Sequence, residues 1–198
     1  MATRDAAATQ RRILQAALKE FAAKGISGAR VDAIAARART NKRMIYYYFD
    51  SKDGLFREIL RSQLASRAAQ HPDLDDLTWQ ERLAARQAMT LEITDYVRLL
   101  AWEALETRSR KKPVIAEDER GALFDELRNR VIKAQEAGAL RADLDPGQML
   151  LSEIALTMFP VAFPQIVRMA TGIEVDDPEF LAARQRFLVE LADGFTAP

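Results

Sequence analysis

Four residues in one short stretch, Lys42, Arg43, Tyr46 and Tyr47, could together bind a polyanion. Lysine and arginine pair with phosphate oxygens, arginine also reads the edge of guanine, and a tyrosine hydroxyl can reach a phosphate oxygen. On a helix, Tyr46 shares a face with Lys42 and Arg43, because it follows them by four and three residues. Tyr47 lies beside that face. The stretch therefore predicts a surface that contacts the phosphates and base edges of a nucleic acid.

The flanking residues predict how this stretch is oriented. Thr40 and Asn41 precede the basic pair, and an asparagine there can cap a helix or pair with adenine. Because a helix N-terminus attracts anions, a helix that starts here points its basic residues at a phosphate backbone. Ile45 and Phe49 lie four residues apart and are predicted to face the core, with Tyr48 beside them. The alternative is that all four aromatic residues pack in the core or against a partner.

A helix-turn-helix is the element that would carry these residues. Apolar residues at three- and four-residue spacing predict a first helix over 9–24, which Gly25 ends. A second short helix begins at Val31, a tight turn follows, and a third helix holds the basic pair. This order is typical of a helix-turn-helix, whose second short helix enters the major groove.

No other spacing in the chain is typical of a catalytic or metal site. The sequence has no cysteine and one histidine, His71, which excludes thiolate ligands and histidine clusters. It shows no Ser/His/Asp arrangement and no glycine-rich phosphate loop, and nothing singles out two carboxylates as acid and base. We therefore expect neither an enzyme nor a bound cofactor or metal.

Charge is unevenly distributed along a chain whose net charge is zero. Residues 1–61 hold 13 Lys and Arg against 6 Asp and Glu, a formal charge of +7, and residues 62–198 carry −7. A basic N-terminal part favours a polyanionic partner. The alternative is that the charges are solvated at the surface and that their uneven distribution arose by chance. No apolar run reaches the roughly 20 residues of a membrane span, and no signal peptide is evident. We expect a cytoplasmic protein with no membrane partner.

The helical pattern continues to the end of the chain. Alanine, leucine, arginine and glutamate dominate, and about nine helices and no strand are predicted, an all-α fold. We predict a helix-turn-helix DNA-binding domain over 1–50 and a helical bundle for ligand binding and dimerisation over 51–198. Within the bundle, 71–77 is predicted to be a linker.

The stretch from residue 31 to 60 resembles the N-terminal domain of the TetR family of transcriptional regulators. The matching positions are Ile34, Ala35, Ala38, Tyr46, Tyr47, Tyr48, Phe49, Ser51, Lys52 and Leu55. The resemblance extends through the first helix and covers about a quarter of the chain. It implies that Lys52 binds a phosphate and that Arg30 is a weaker candidate for the same role. It also implies operator contacts from Thr40, Lys42, Arg43, Tyr46 and Tyr47.

Two positions depart from the family pattern. Arg39 stands where the family has a turn glycine, and a left-handed backbone there costs a non-glycine residue about 1–2 kcal/mol. The turn is therefore either strained or built differently, and Arg39 adds a charge beside the DNA face. Asn41 stands where the family often has serine. The resemblance therefore does not predict an operator sequence typical of the family.

The C-terminal part is predicted to dimerise. The helices over 147–163 and 178–193 are apolar over a wide arc, so each must bury two sides. A second copy of the chain would bury the outer side in a four-helix interface with two-fold symmetry, as the resemblance implies. The alternative is a deeply buried core within one chain.

The resemblance also implies a small-molecule effector that binds in this part and releases the dimer from a palindromic operator, most simply as a repressor. Large apolar residues are candidates for the ligand pocket, although such residues are usually plain core: Met89, Tyr96, Trp102, Met158, Phe159 and Phe163. Glu103 and Glu106 could read a polar group of the ligand but are predicted to be exposed. Two alternatives stay open, a regulator that responds to a protein partner and a helical module that no longer reads DNA.

Overall fold

The structure is a computed structural model that describes residues 2–70, 77–110 and 114–196, without the side chains of 2–4, 65–70 and 108–110. These residues form ten α-helices and no β-strand, which confirms the all-α fold class. The helices are α1 (Ala2–Gly28), α2 (Val31–Arg37), α3 (Lys42–Phe49), α4 (Lys52–Gln70), α5 (Trp79–Glu92), α6 (Thr94–Arg110), α7 (Glu117–Glu136), α8 (Pro146–Ala162), α9 (Pro164–Thr171) and α10 (Pro178–Ala192).

By packing, the chain divides into two compact units. The head unit comprises residues 1–72 together with 98–116, and the body unit comprises 73–97 together with 117–198. Helix α6 therefore begins in the body unit and continues into the head unit. This division follows packing and not role, so the boundary at residue 50 between DNA-binding and ligand-binding domains stays a prediction.

In the head unit, α1 is longer than its apolar pattern predicts. The predicted stripe of Ile13, Ala17 and Phe21 is fully buried. The helix already begins at Ala2, because the alanine-rich residues before the stripe have high helix propensity. Gly25 breaks the helical backbone with a φ of 70° and a ψ of 173°, but the helix does not end there as predicted and continues to Gly28.

Helix α4 closes the head unit against α1. The Ser51 hydroxyl accepts a hydrogen bond from the Gly54 N–H at 2.9 Å and so caps the start of this helix. Phe56 is fully buried, and its ring meets that of Phe21 edge-on with 5.7 Å between the centroids. Each such buried side chain contributes roughly 1.5–3 kcal/mol, which makes the head unit a rigid support for the short α2 and α3.

In the body unit, three helices begin at side-chain caps. Thr78 and Glu81 form a reciprocal capping box at α5, and Asp145 and Asp177 cap α8 and α10. A proline at the first position of α8 and of α10 supports the same starts. The capped ends of α5 and α8 meet the C-terminal end of α10 in an apolar core of Trp79, Leu83, Val131, Leu140, Met149, Leu150, Leu188 and Ala192.

The prolines near residue 160 act differently from each other. Pro160 is accommodated inside α8, and Pro164 starts a new helix after a break at Phe163. That helix, α9, is the one that the sequence pattern missed, since it is eight residues long and follows directly on α8. Within the described residues no helix alone is long and apolar enough to cross a membrane; the pair α8 and α9, bent by 87°, meets the criteria of length and composition only when joined.

Candidate nucleic-acid interface

The turn between α2 and α3 places Arg39 in a left-handed conformation. Its φ is 53°, in the region that favours glycine, so the departure from the family pattern is tolerated with strain. The turn is held by hydrogen bonds from the Arg39 N–H to the Ala36 carbonyl at 3.2 Å and from the Thr40 N–H to the Ala35 carbonyl at 3.0 Å. The chain therefore keeps a tight turn here, and the Arg39 side chain is exposed.

Asn41 caps α3. Its side-chain Oδ1 accepts a hydrogen bond from the Met44 N–H at 3.0 Å. The cap engages the oxygen that a bidentate contact with adenine would use, which leaves the amide Nδ2 to donate. A DNA contact by Asn41 stays a prediction.

The two faces of α3 separate as predicted. Ile45 and Phe49 are buried, and Tyr46 and Tyr47 are exposed by 40% and 77%. Tyr48 lies between the faces, half-buried, with its ring 5.3 Å from that of Tyr47 and tilted by 71°. The exposed aromatic surface of this helix is therefore not required for the core of the chain.

Both basic residues at the start of α3 are exposed. Arg43 forms no ion pair or hydrogen bond with any residue that the structure describes. Lys42 lies 3.4 Å from an Asp32 carboxylate oxygen in a pair exposed on both sides. Such a pair contributes little to stability and is readily exchanged for a phosphate.

The remaining candidates, Arg30, Thr40 and Lys52, lie around this helix. The Lys52 ammonium donates to the carbonyls of Ala29 at 2.7 Å and Ser27 at 3.4 Å, so it also fastens the segment between α1 and α2. Arg30 is exposed at the N-cap of α2, and Thr40 is half-buried in the turn. Arg30 thus lies at the start of α2, Thr40 in the turn before α3 and Lys52 at the start of α4, and their contacts with DNA stay predictions.

Glu20 links α1 to the start of α2. It is 3% exposed and accepts hydrogen bonds from the Lys24 ammonium at 2.8 Å and from the Arg30 N–H at 3.4 Å. The hydrogen bond from Lys24 lowers the pKa of Glu20, against the opposing effect of burial. The carboxylate therefore stays charged and holds Arg30 beside the helix-turn-helix.

Helix α6 is bonded to the end of α1 within the head unit. One carboxylate oxygen of Glu106 accepts from the Ser27 N–H at 2.9 Å, and the other accepts from the Ser27 hydroxyl at 2.8 Å. The break at Gly25 permits this approach, because a Cβ there would lie 2.7 Å from Glu106 Oε1 and 3.0 Å from the Trp102 ring. Glu106 is half-buried and Glu103 is buried at 6% exposure, so the prediction that both are exposed is wrong.

The six residues predicted to line a ligand pocket have different environments. Tyr96 is buried in the body unit, and Met89 and Met158 are half-buried there. Phe159 and Phe163 are exposed and pack on each other with 5.1 Å between ring centroids. Trp102 belongs to the head unit, where its ring lies against Gly25. A ligand role for each of them stays a prediction.

A buried polar cluster in the body unit was missed by the sequence analysis. Arg86 of α5 forms an ion pair with Glu153 of α8, whose side chain is 2% exposed. Burial raises the pKa of Glu153 by more than the nearby guanidinium groups lower it. Gln87 and Thr157 are also buried, at 3% exposure each. A signal was present, since Glu153 interrupts the otherwise apolar face of α8 and Gln87 follows Leu83 by one helical turn.

No group of three or more histidine, aspartate and glutamate side chains that could hold a metal ion occurs among the residues the structure describes.

Comparison with known families finds two matches along the chain. Residues 13–59 match the model of bacterial regulatory proteins of the tetR family, and residues 88–191 match that of the tetracyclin repressor-like C-terminal domain. The first match contains α2 and α3 with the exposed basic and aromatic face. The second contains the dimerisation and ligand-binding candidates.

Individual relatives match over nearly the whole chain. The HTH-type transcriptional repressor SCO4008 of Streptomyces coelicolor is 37% identical over 174 residues, 87% of this chain and 88% of its own length. The HTH-type transcriptional regulator RutR of Escherichia coli strain K12 is 28% identical over 95% of this chain and 92% of its own. The crystal structure of SCO4942 from Streptomyces coelicolor superposes with a TM-score of 0.76 at 30% identity, covering 96% of this chain and 99% of that one.

Proposed function

Because the chain belongs to the tetR family of bacterial regulatory proteins, we propose that it is a dimeric repressor released from a palindromic operator by a small molecule. Regulators of this family bind DNA and are not enzymes. Repression is the role that the SCO4008 relative is named for. The proposed place of action is the cytoplasm, where a bacterial operator is accessible.

The exposed face of α3 is the observation that carries the DNA-binding proposal. Arg43 and Tyr47 project from a short helix whose opposite face, Ile45 and Phe49, is anchored in the core. An anchored helix with a free basic face can lie in a major groove, with its N-terminus toward the phosphates. The proposed contacts with the operator are Arg30, Thr40, Asn41, Lys42, Arg43, Tyr46, Tyr47 and Lys52.

Exposed apolar side chains on α8 and α10 support the dimer. Leu151 and Phe159 lie two turns apart on α8, exposed by 58% and 45%, and Phe187 on α10 is exposed by 50%. Large apolar groups aligned on two helices favour burial against a second copy of the same surface. A dimer presents two α3 helices to half-sites about 34–36 Å apart, which requires a palindromic operator.

Helix α6 supplies a route by which a ligand could change DNA binding. It begins in the body unit, and its Glu106 holds Ser27 at the end of α1 in the head unit. A ligand that favours one position of α6 would change the position of α1 and with it the spacing of the two α3 helices. The ligand releases the DNA only if it binds the two arrangements of the dimer with different affinity. By thermodynamic linkage, bound DNA must then weaken ligand binding by the same factor by which the ligand weakens DNA binding.

Selection of bound duplexes from genomic DNA tests the proposal. We expect an enriched palindrome that binds two chains, with an affinity that falls steeply as salt rises, since each phosphate contact adds about −0.9 to the logarithmic slope. Titration of this duplex at two salt concentrations, with light scattering of the complex, measures slope and stoichiometry. Sequence-independent binding, or one chain on an asymmetric site, contradicts the proposal.

Replacing Arg43 with alanine is expected to weaken operator binding about 10- to 100-fold, equivalent to about 1–3 kcal/mol, and to relax the preference at one base pair of each half-site. The reason is that Arg43 has no partner among the described residues and is exposed at the start of the helix that we propose enters the major groove. Competition with operators mutated at single positions measures the change. The control is Arg128→Ala on α7, an exposed arginine of the body unit that should leave affinity and salt slope unchanged. An unaltered preference at every position would show that Arg43 reads no base.

A further inference from the structure

The packed faces of α5 and α8 both change from apolar to polar along the helix. On α5 the buried residues Trp79 and Leu83 are followed by Gln87 and Thr90. On α8, Met149 and Leu150 are followed by Glu153 and Thr157. Since the first residues of both helices lie in the same apolar core, the polar residues form a second, polar layer of the body unit.

Gln87 is the anomaly of this layer. The residue is 3% exposed, and neither its Oε1 nor its Nε2 has a hydrogen-bond partner in the described part of the chain. A buried amide that bonds to nothing costs the protein much of its desolvation free energy. The two buried threonines of the layer are satisfied, because the Thr90 hydroxyl donates to the Arg86 carbonyl at 2.7 Å and the Thr157 hydroxyl to the Glu153 carbonyl at 2.9 Å.

The buried Glu153 carboxylate of the polar layer already has an ion-pair partner in Arg86, and Arg82 also acts on it. Arg86, the preceding residue on α5, is paired with Glu153, which lies in the polar layer. A ligand that entered with a negative charge would meet the buried Glu153 carboxylate, and one with a positive charge would compete with Arg86. The polar layer therefore favours a neutral ligand.

We propose that Gln87 recognises the effector of this regulator and that the effector is a neutral molecule with an N–H beside a C=O, such as an amide or a lactam. Such a group donates to Gln87 Oε1 and accepts from Nε2 at the same time. A carboxylate only accepts, so it would leave Oε1 without a donor, and a hydrocarbon would leave both atoms without partners. This inference rests on the proposed function, since it assigns the ligand chemistry of the same body unit.

Three small probes separate these ligand classes: benzamide, 2-piperidone and benzoate. Benzamide and benzoate have almost the same shape, and they differ in charge and in the presence of an N–H. At about ten times its dissociation constant, a bound probe should raise Tm by about 3 °C. We expect this rise with benzamide and 2-piperidone and not with benzoate, measured on the full chain by thermal unfolding and by ligand-observed NMR.

Two glutamines of α5 make a matched pair of variants. Gln87→Leu replaces the amide with an apolar group of similar size and should raise Tm, while weakening the binding of benzamide at least about tenfold. Gln80→Leu is the control, because the Gln80 amide already donates to Asp193 Oδ1 at 2.9 Å. It should not raise Tm and should leave benzamide binding unchanged.

Each outcome has a definite meaning. An equal shift with benzoate, or no shift with either neutral probe in a protein that binds its selected operator, overturns this inference and leaves the proposed function intact. A lower Tm for Gln87→Leu, with probe binding unchanged, also overturns it, because the amide would then have its own partner in the folded protein. Probe binding that depends on Gln87 in a protein without operator binding would support the site and count against the repressor.

Discussion

Phe187→Glu is expected to dissociate the dimer and to weaken operator binding at least about 100-fold. The Phe187 ring is half exposed on α10, with the Arg184 guanidinium 5.5 Å from its centroid, so its outer face is free to meet a second chain. In a two-fold interface the substitution places two carboxylates in the apolar contact, and neither has a partner there. A chain that binds one half-site loses most of the difference between specific and non-specific affinity. Light scattering and operator titration measure the two effects.

Phe124→Glu is the matched control for this substitution. Phe124 is exposed by 45% on α7, a helix that is not part of the proposed interface. The carboxylate introduced at this position would be solvated by water and not buried in the interface. The variant should therefore remain dimeric and bind the operator normally. If Phe187→Glu stays a dimer at the same concentration and keeps its operator affinity, the proposed interface is wrong.

Arg86→Ala is expected to lower the free energy of unfolding by about 3 kcal/mol near neutral pH. The Glu153 side chain is 2% exposed, and without Arg86 its carboxylate would be buried without its ion-pair partner, leaving Arg82 as the other guanidinium that acts on it. Urea denaturation at a series of pH values measures the loss. An exposed pair provides the control: Arg128 and Asp125 are 49% and 63% exposed, so Arg128→Ala should change stability by about 0.5 kcal/mol or less.

The pH dependence of this loss has a definite sign. Burial already raises the pKa of Glu153 in the folded protein, and removal of Arg86 should raise it further. Below a raised folded pKa, the folded state binds a proton that the unfolded state does not yet bind, so folding is favoured as pH falls. The stability difference between Arg86→Ala and the parent should therefore shrink as pH is lowered from about 8 toward 5. A difference that stays constant or grows would show that Glu153 is not the group left without a partner.

Much of the DNA-binding surface could be predicted from local pattern. Ile45 and Phe49 at four-residue spacing had to share a face, and that geometry placed Tyr46 and Tyr47 opposite the core before any packing was known. Caps and breaks such as Ser51 and Gly25 involve residues that are close in the chain, so they can also be predicted from the sequence. The sequence left two possibilities at Arg39, a strained turn or a turn built differently, because the residue type alone does not determine φ.

The interactions of the C-terminal part could not be predicted in this way, because they join residues far apart in the chain. Nothing local pairs Arg86 with Glu153, or Glu106 with Ser27. The charged Glu103 was predicted to be exposed, but packing buries it. The apolar candidates for a ligand pocket turned out to occupy different environments, since apolar character does not say which neighbour covers a side chain. Residue order thus determines the helices and the face that each presents. Which faces meet, and which buried polar group is left without a partner, depends on the packing of the whole chain.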